Sequence, residues 1–461
     1  TRYSLSKSTS YFIPHMQGDD KYMHLSKDIK AMREQLIRSR RDFHRYPEPG
    51  WLEYRTASIV AEELHQLGFR VYVGKKACKS DARFGVPDEE VLAKAEQRSV
   101  EEGASAYWVE QMRRGHTAVV GVIKGRYPGP VVALRFDMDS NGLTENKSDD
   151  HKPAVEGFRS CHDQSMHACG HDGHTAIGLG VAKIISKHRD KLYGEVRLLF
   201  QPAEEGCRGA KSMVDAGWLD HVDYFFSGHI GLKSRKTGEV VASTGGFLST
   251  TKINATFTGR PSHAGERPQE GKNALLAACM ASIALNGIPR HSGGATHINV
   301  GVIRGGSGRN VIPQEAYMEL ETRGMTTLLN EYMKQEAIRK IEHAAQMYDV
   351  HCDWEVVGEA TGAESSKELI PLITQELETI DSVHEVIPYK EIGVSEDVVY
   401  MLNKVQQGGG KASYLLLGSA LKAGHHEDAF DFDEEVLVIG VEVYARLIFA
   451  TRHWVEQLHE K

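Results

Sequence analysis

Close cysteine pairs are missing from this sequence. Its six cysteines, Cys78, Cys161, Cys169, Cys207, Cys279 and Cys352, are dispersed over 461 residues and form no CxxC. A chain of this length builds a sufficient core without disulfides, so a small stapled scaffold is excluded and the cytosol is the expected compartment. An excess of positive charge is also lacking, since 55 basic against 63 acidic residues leave −8. Nucleic acids and anionic membranes are bound by basic surfaces, so neither partner is expected, although a local basic patch is compatible with the count. No apolar run approaches the roughly 18–20 residues that span a bilayer. The start, Thr1-Arg2-Tyr3-Ser4, has no charged region followed by a long apolar stretch, so no signal peptide is expected. Internal repeats and low-complexity linkers are absent. With 41% hydrophobic and 26% charged residues the chain reads as globular rather than collagenous or disordered. Its length implies roughly three folding units, or one large unit carrying an insertion.

Apolar spacing predicts helices over 28–43 and 56–67, and a strand over 69–73. Residues 87–114 are polar and helix-prone and resemble an inserted helical hairpin lying outside the core. Short apolar runs at 119–123, 131–136, 195–200 and 224–230, with a helix over 173–187, suit strands of a largely parallel, doubly wound α/β layer. Ligands of such layers bind at the carboxyl ends of the strands. From about Gly246 the texture changes. A half-exposed strand over 252–257, a helix over 272–286, strands over 297–303 and 314–323 and a helix over 329–347 read as a separate α+β unit. The α/β pattern resumes near Ile370, and 434–449 reads as a closing helix.

Histidine is what the chain has in abundance, with 23 residues in clusters. The densest cluster is His167-Ala168-Cys169-Gly170-His171-Asp172-Gly173-His174. Cys169 and His171 at i and i+2 can point at one centre, with Gly170 allowing the bend and Asp172 orienting an imidazole from behind. The alternative is an exposed loop with Asp172 capping a helix. Gln201-Pro202-Ala203-Glu204-Glu205-Gly206 follows a buried strand, and two carboxylates sharing a site can divide into a general base and a metal ligand; it can equally be a solvated turn. His229 closes the strand 224–230, where a lone histidine is more often structural than ligating. Gly424-His425-His426-Glu427 supplies further donors, or a polar loop. Taken together, Cys169, His171, Glu205, His229 and His425 or His426 form a sulfur, nitrogen and oxygen set adequate for two divalent ions.

The runs HACGHDGHTAIGLG, FQPAEEG, GHI, PSHAGERP and GGSGRNVIP resemble the metal-dependent amidohydrolases of the aminoacylase and carboxypeptidase superfamily. The branch is the one holding hippurate and indole-acetyl-amino-acid hydrolases. Insertions at about 75–116 and 147–160, with Ser395-Glu396-Asp397 and Ala423-Gly424-His425-His426, are similar to its members acting on p-aminobenzoyl-glutamate. The resemblance implies an α/β, di-metal peptidase-like catalytic domain over 1–245 and 362–461, with an inserted α+β dimerisation (satellite) domain over 246–361. It implies Glu204 as general base and Cys169, His171, Glu205, His229 and His426 as metal ligands, His425 remaining an alternative to His426. Asp137 and Asp172 are implied behind the ligands. His263 would reach a neighbouring subunit's centre, and Asn310 and Arg323 would hold the carboxylate of an N-acyl-glutamate substrate; a loop histidine and a surface ion pair are the plain alternatives for His263 and Arg323. The implied cofactors are two divalent ions, manganese first and zinc second. The implied partner is a second copy, or a homologous second subunit in a heteromer. Ser140-Asn141-Gly142 departs from the Ala-Leu-Pro usual in the branch.

Overall fold

The computed structural model describes residues 23–459; the segment 1–22, where no signal peptide is expected, lies outside them. Eight strands form one sheet, in the order Arg70–Val73, Val119–Lys124, Tyr193–Gln201, Tyr127–Asp137, Tyr224–Ile230, Lys411–Leu417, Glu239–Val241 and Glu385–Ile387. The four central strands, Tyr193–Gln201 to Lys411–Leu417, run parallel. Val119–Lys124 was expected among the parallel strands but pairs antiparallel on both sides. The strand Tyr193–Gln201 inserts between it and Tyr127–Asp137, its successor in the chain.

Both faces of the central strands are covered, as their near-continuous apolar runs require. Successive side chains alternate between two cores. Val132, Leu134, Leu198, Phe200, Phe226 and Leu417 enter the larger one, with the helices His171–Lys187 and Glu435–His459. Ala133, Leu199, Phe225, Ala412, Tyr414 and Leu416 enter the other, with Ala210–Asp215 and Val399–Gln407. Gly178 lets the helix His171–Lys187 lie close on the sheet: a Cβ there would stand 2.7 Å from Phe136 and Phe200. That approach brings the start of the helix over the end of Tyr127–Asp137.

The helices Glu89–Glu101 and Ala106–Gln111 form the expected hairpin, but it is not set apart from the core. Ala95, Trp108, Val109 and Met112 join the larger core, and Trp108 Nε1 donates to Glu62 at 2.8 Å. The polar surface of this segment concealed a narrow apolar face.

A second sheet lies between residues 249 and 360, with the antiparallel order His351–Ala360, Ser249–Thr258, Glu315–Gly324, Thr296–Gly305. Helices Ala274–Asn286 and Thr327–Met347 pack on it around a core of its own, which includes Ile253, Phe257, Met318 and Ile341. The edge strand His351–Ala360 has no counterpart in the apolar pattern because it is mostly solvent-facing. All six cysteines are free. Among the described residues no helix is long and apolar enough to cross a membrane.

Candidate metal centre

The donors gather at the carboxyl ends of the central strands. Asp137 ends its strand level with Gln201. Beyond Gln201 the chain turns through Ala203 at φ 52° and Gly206 at φ 90°. A non-glycine residue held at positive φ costs on the order of 1–3 kcal/mol and persists only where its surroundings fix it. Here Glu53 accepts the Ala203 N–H at 2.8 Å, and the two Asp139 oxygens accept those of Glu204 at 3.0 Å and Glu205 at 2.9 Å. The paired carboxylates are thus presented by a braced turn.

Two imidazoles are wired alike. His171, the first residue of its helix after Gly170 at φ 91°, donates from Nδ1 to the Asp139 carbonyl at 2.9 Å. His229 donates from Nδ1 to the Ile230 carbonyl at 2.8 Å. A carbonyl only accepts, so both rings carry their proton on Nδ1 and turn Nε2 inward, the arrangement that backing groups impose on ligating histidines. His229 Nε2 lies 3.3 Å from Cys169 Sγ. His171 Nε2 is buried with no hydrogen-bond partner and stands 3.9 Å from Glu204 Oε2. Glu205 Oε1, likewise buried and unpartnered, is 3.2 Å from His426 Nε2, near but not aligned for a hydrogen bond.

Donor atoms of Cys169, His171 and His229 all lie within 4.8 Å of one another; so do those of Cys169, Glu205 and His426, and of His171, Glu204 and Glu205. Cys169, His171 and Glu205 are each shared by two of these groups. His425 is turned differently: its Nε2 donates to the Ile230 carbonyl at 3.1 Å and its ring packs on Phe430.

The charge balance calls for a cation. Asp137, Asp139, Glu204, Glu396 and Asp397 are buried at this end of the sheet with Glu205 half-buried beside them, and the Arg135 guanidinium bonds the carboxylates of Asp137, Glu396 and Asp397. Burial, with the Glu396 and Glu205 charges, pushes the Glu204 carboxyl well above its usual range. Burial, with the Glu205 and Glu204 charges, likewise pushes the Cys169 thiol well up. Burial alone would lower His171, but Asp137, Asp139 and Glu205 outweigh it and raise the ring to about 10. Cys169 and His171 retain protons where a divalent ion would replace them. The orphaned His171 Nε2 and Glu205 Oε1 and the mixed donor set fit such an ion.

The sequence profile described as peptidase family M20/M25/M40 matches residues 133–450. The chain belongs to this family of amide-bond hydrolases. It is 45% identical to one of the subunits of p-aminobenzoyl-glutamate hydrolase of Escherichia coli (strain K12), over 92% of this chain and 97% of that protein. It is also 45% identical to indole-3-acetyl-aspartic acid hydrolase of Enterobacter agglomerans, over 91% and 97%. The crystal structure of aminobenzoyl-glutamate utilization protein from Klebsiella pneumoniae superposes with a TM-score of 0.80 at 36% identity, covering 93% of this chain and 98% of that one.

In this M20 chain Asp137 adjoins the donors, its Oδ1 3.8 Å from His171 Nε2, and the remaining expected residues stand apart from them. Asp172 faces away from them, accepting from Arg40 and His44 at 2.8 Å each. Asp137 bonds His174 Nδ1 at 2.5 Å and Arg135 at 2.6 Å. His263 and Asn310 are exposed on neighbouring loops of the second sheet, joined where Ala264 N–H meets the Asn310 carbonyl at 3.0 Å. Arg323 is held bidentately by Glu321 at 3.0 and 3.1 Å. Among the described residues none of these three bonds the donor cluster. Sequence reasoning missed Asp139, Arg135, His174 and Glu53. Asp139 was within reach, since it follows Asp137 by two residues in the same strand-end motif. His174 spans Asp137 and the Ile230 N–H at 2.9 Å, which occupies both its nitrogens.

Proposed function

We propose that this chain hydrolyses p-aminobenzoyl-glutamate to p-aminobenzoate and glutamate, in the use of folate breakdown products. The observation that carries the reading is the buried His171 Nε2, which has no hydrogen-bond partner, facing the Glu204 carboxyl beside the Glu205–His426 pair. The relatives from E. coli and K. pneumoniae supply the substrate. Cys169, His171, Glu205, His229 and His426 would hold two divalent ions. Manganese is our first assignment, on the resemblance, and zinc the second, because thiolate and imidazole suit it. Such ions, when bound, polarise a carbonyl oxygen and bring the pKa of a water down toward ~7.

The chain's own groups supply the rest. Glu204 takes the proton of the attacking water and returns it to the departing amine nitrogen. Burial keeps that proton on the carboxyl between the two transfers. Asp139 fixes the backbone on which Glu204 and Glu205 stand. His263 of a neighbouring subunit would donate to the oxygen that gains charge. Asn310 and Arg323 would bind the glutamate carboxylate, Arg323 exchanging Glu321 for the substrate. A second subunit, identical or homologous, is supported by the open edge of Thr296–Gly305 and by Leu276 and Ile283, 48% and 68% exposed on the neighbouring helix. The E. coli relative is named as one subunit of its enzyme, which points the same way.

The second reading is hydrolysis of indole-3-acetyl-aspartate, favoured by a relative of equal identity. Both relatives' names join an aromatic acyl group to an acidic amino acid, so the two readings share the carboxylate pocket and differ in the acyl one. The deciding experiment compares kcat/KM for p-aminobenzoyl-glutamate, indole-3-acetyl-aspartate and hippurate before and after chelation. We expect the first to lead by at least ~10-fold, chelation to abolish turnover and Mn2+ to restore it. No turnover of any of the three by the metal-replete chain, alone or with a cognate second subunit, would overturn the hydrolase reading.

A further inference from the structure

We propose that Glu102, Cys161 and His162 form a second, non-catalytic metal site that takes a soft divalent cation of the zinc class. Their carboxylate oxygen, thiol sulfur and imidazole nitrogen lie within 4.8 Å of one another. None of the three takes part in the hydrolytic chemistry above.

The wiring repeats that of the catalytic histidines. His162 donates from Nδ1 to the Pro47 carbonyl at 2.8 Å, which turns Nε2 toward Glu102 Oε1 at 2.6 Å. A backbone carbonyl behind Nδ1 is the usual support of a ligating imidazole. An ion pair between His162 and Glu102 does not account for the site. The other carboxylate oxygen, Glu102 Oε2, is buried with no hydrogen-bond partner, and the nearest guanidinium nitrogen, Arg98 Nε, is 3.9 Å away and itself unbonded. Cys161 adds a sulfur donor that a salt bridge has no use for.

The backbone holds all three in place. Arg55 Nε donates to the Glu102 carbonyl at 3.0 Å, Cys161 N–H to the Arg45 carbonyl at 2.9 Å, and His162 N–H to Ser160 Oγ at 3.1 Å. Cys161 is exposed, so a cation enters from solvent and water completes a four-coordinate set. Binding displaces the Cys161 thiol proton and the His162 Nε2 proton to solvent. Glu102 caps the first helix of the hairpin, whereas Cys161 and His162 follow the second insertion. A cation here clamps the two insertions together.

The test uses the full chain, stripped by chelator and then incubated with or without Zn2+. N-ethylmaleimide labelling is read residue by residue by fragment-ion sequencing, because Cys161 and Cys169 share one tryptic peptide. We expect Zn2+ to slow Cys161 labelling at least ~10-fold in the parent chain but not in His162→Gln or Glu102→Gln. Cys161→Ser, a change at an exposed position, should bind one equivalent less Zn2+ than the parent while retaining its hydrolytic rate. Equal labelling with and without Zn2+, protection that survives His162→Gln, or equal zinc in Cys161→Ser overturns the proposal. Neither readout depends on turnover, so failure of the hydrolase reading leaves this test intact.

Discussion

Asp139 Oδ2 accepts the backbone N–H of Glu205 at 2.9 Å, and its other oxygen accepts that of Glu204 at 3.0 Å. One carboxylate therefore sets the positions of the proposed general base and of a proposed metal ligand, while its own carbonyl orients His171. Asp139→Asn replaces one acceptor oxygen by an amide NH2, a donor, facing a backbone N–H. We expect kcat/KM to fall about 10–100-fold with the fold retained, the range typical of groups standing behind metal ligands. Metal affinity and kcat/KM measured on the same preparation check it. A variant within twofold of the parent in both would remove Asp139 from the machinery.

Glu204 separates proton transfer from metal binding. Glu204→Ala removes the carboxyl that takes and returns the proton and leaves Cys169, His171, Glu205, His229 and His426 in place. Turnover should fall roughly 10²–10⁴-fold, the contribution of a positioned acid–base group. Metal content, read by elemental analysis, should stay at the parent's value. Loss of metal along with turnover would recast Glu204 as a ligand.

Arg135 is fully buried and bonds Gln201 at 2.7 Å, Asp137 at 2.6 Å, Glu396 at 3.0 Å and Asp397 at 3.2 Å. Removing one partner of a buried ionic network leaves uncompensated charge, worth about 3–5 kcal/mol. Arg135→Met should destabilise the metal-free chain by about that much in urea unfolding. Arg135→Lys should recover only part, since an ammonium cannot reach acceptors on so many sides. A loss below about 1 kcal/mol in Arg135→Met would show that the carboxylates take up protons instead.

His44, outside the donor cluster, contributes a pH signature over an interval that it shares with His171. Burial and the Arg40 charge push it down, but the Asp172 and Glu145 carboxylates, at 2.8 and 2.9 Å, outweigh them and raise it to about 9. A histidine raised in the folded state stabilises fully below its unfolded value of about 6.5 and loses that contribution as pH rises through about 9. Unfolding free energy should therefore fall by a few kcal/mol between pH 6.5 and pH 9.5. In His44→Gln the slope over the same interval should flatten; an unchanged slope would assign the pH response to another group.

The sequence pattern made three of the four central strands and three of the four strands of the second sheet legible, because burial on two faces, or on one, writes itself into local apolar spacing; Lys411–Leu417 and His351–Ala360 went unread. Cys169, His171, Glu204 and Glu205 were legible because chemistry-bearing residues crowd into short segments. The groups that brace them were not. Arg40, His44 and Glu145 come from separate segments and meet Asp172 only through the fold. Asp139 differs from Asp137 in what it touches, not in its type. The hairpin's burial escaped notice because Trp108 and Met112 sit in an otherwise polar stretch.

His263 is exposed and its ring bonds its own loop, its Nδ1 accepting the N–H groups of Gly265 at 3.2 Å and Glu266 at 3.1 Å. That fixes the proton on Nε2, the form required of a donor to a neighbouring subunit's centre. If the chain forms a two-fold dimer in this way, each site combines Glu204 of one copy with His263 of the other. Chains carrying Glu204→Ala alone or His263→Ala alone should then both be inactive. Coexpressed, they should form mixed dimers in which one site holds an intact Glu204 and an intact His263 together. Random pairing makes half the dimers mixed, so about a quarter of all sites, and of parental activity, should return. Separately purified chains mixed after assembly provide the control and should recover activity only as fast as subunits exchange. Coexpression without recovery, from two chains that fold and assemble, would confine His263 to its own subunit.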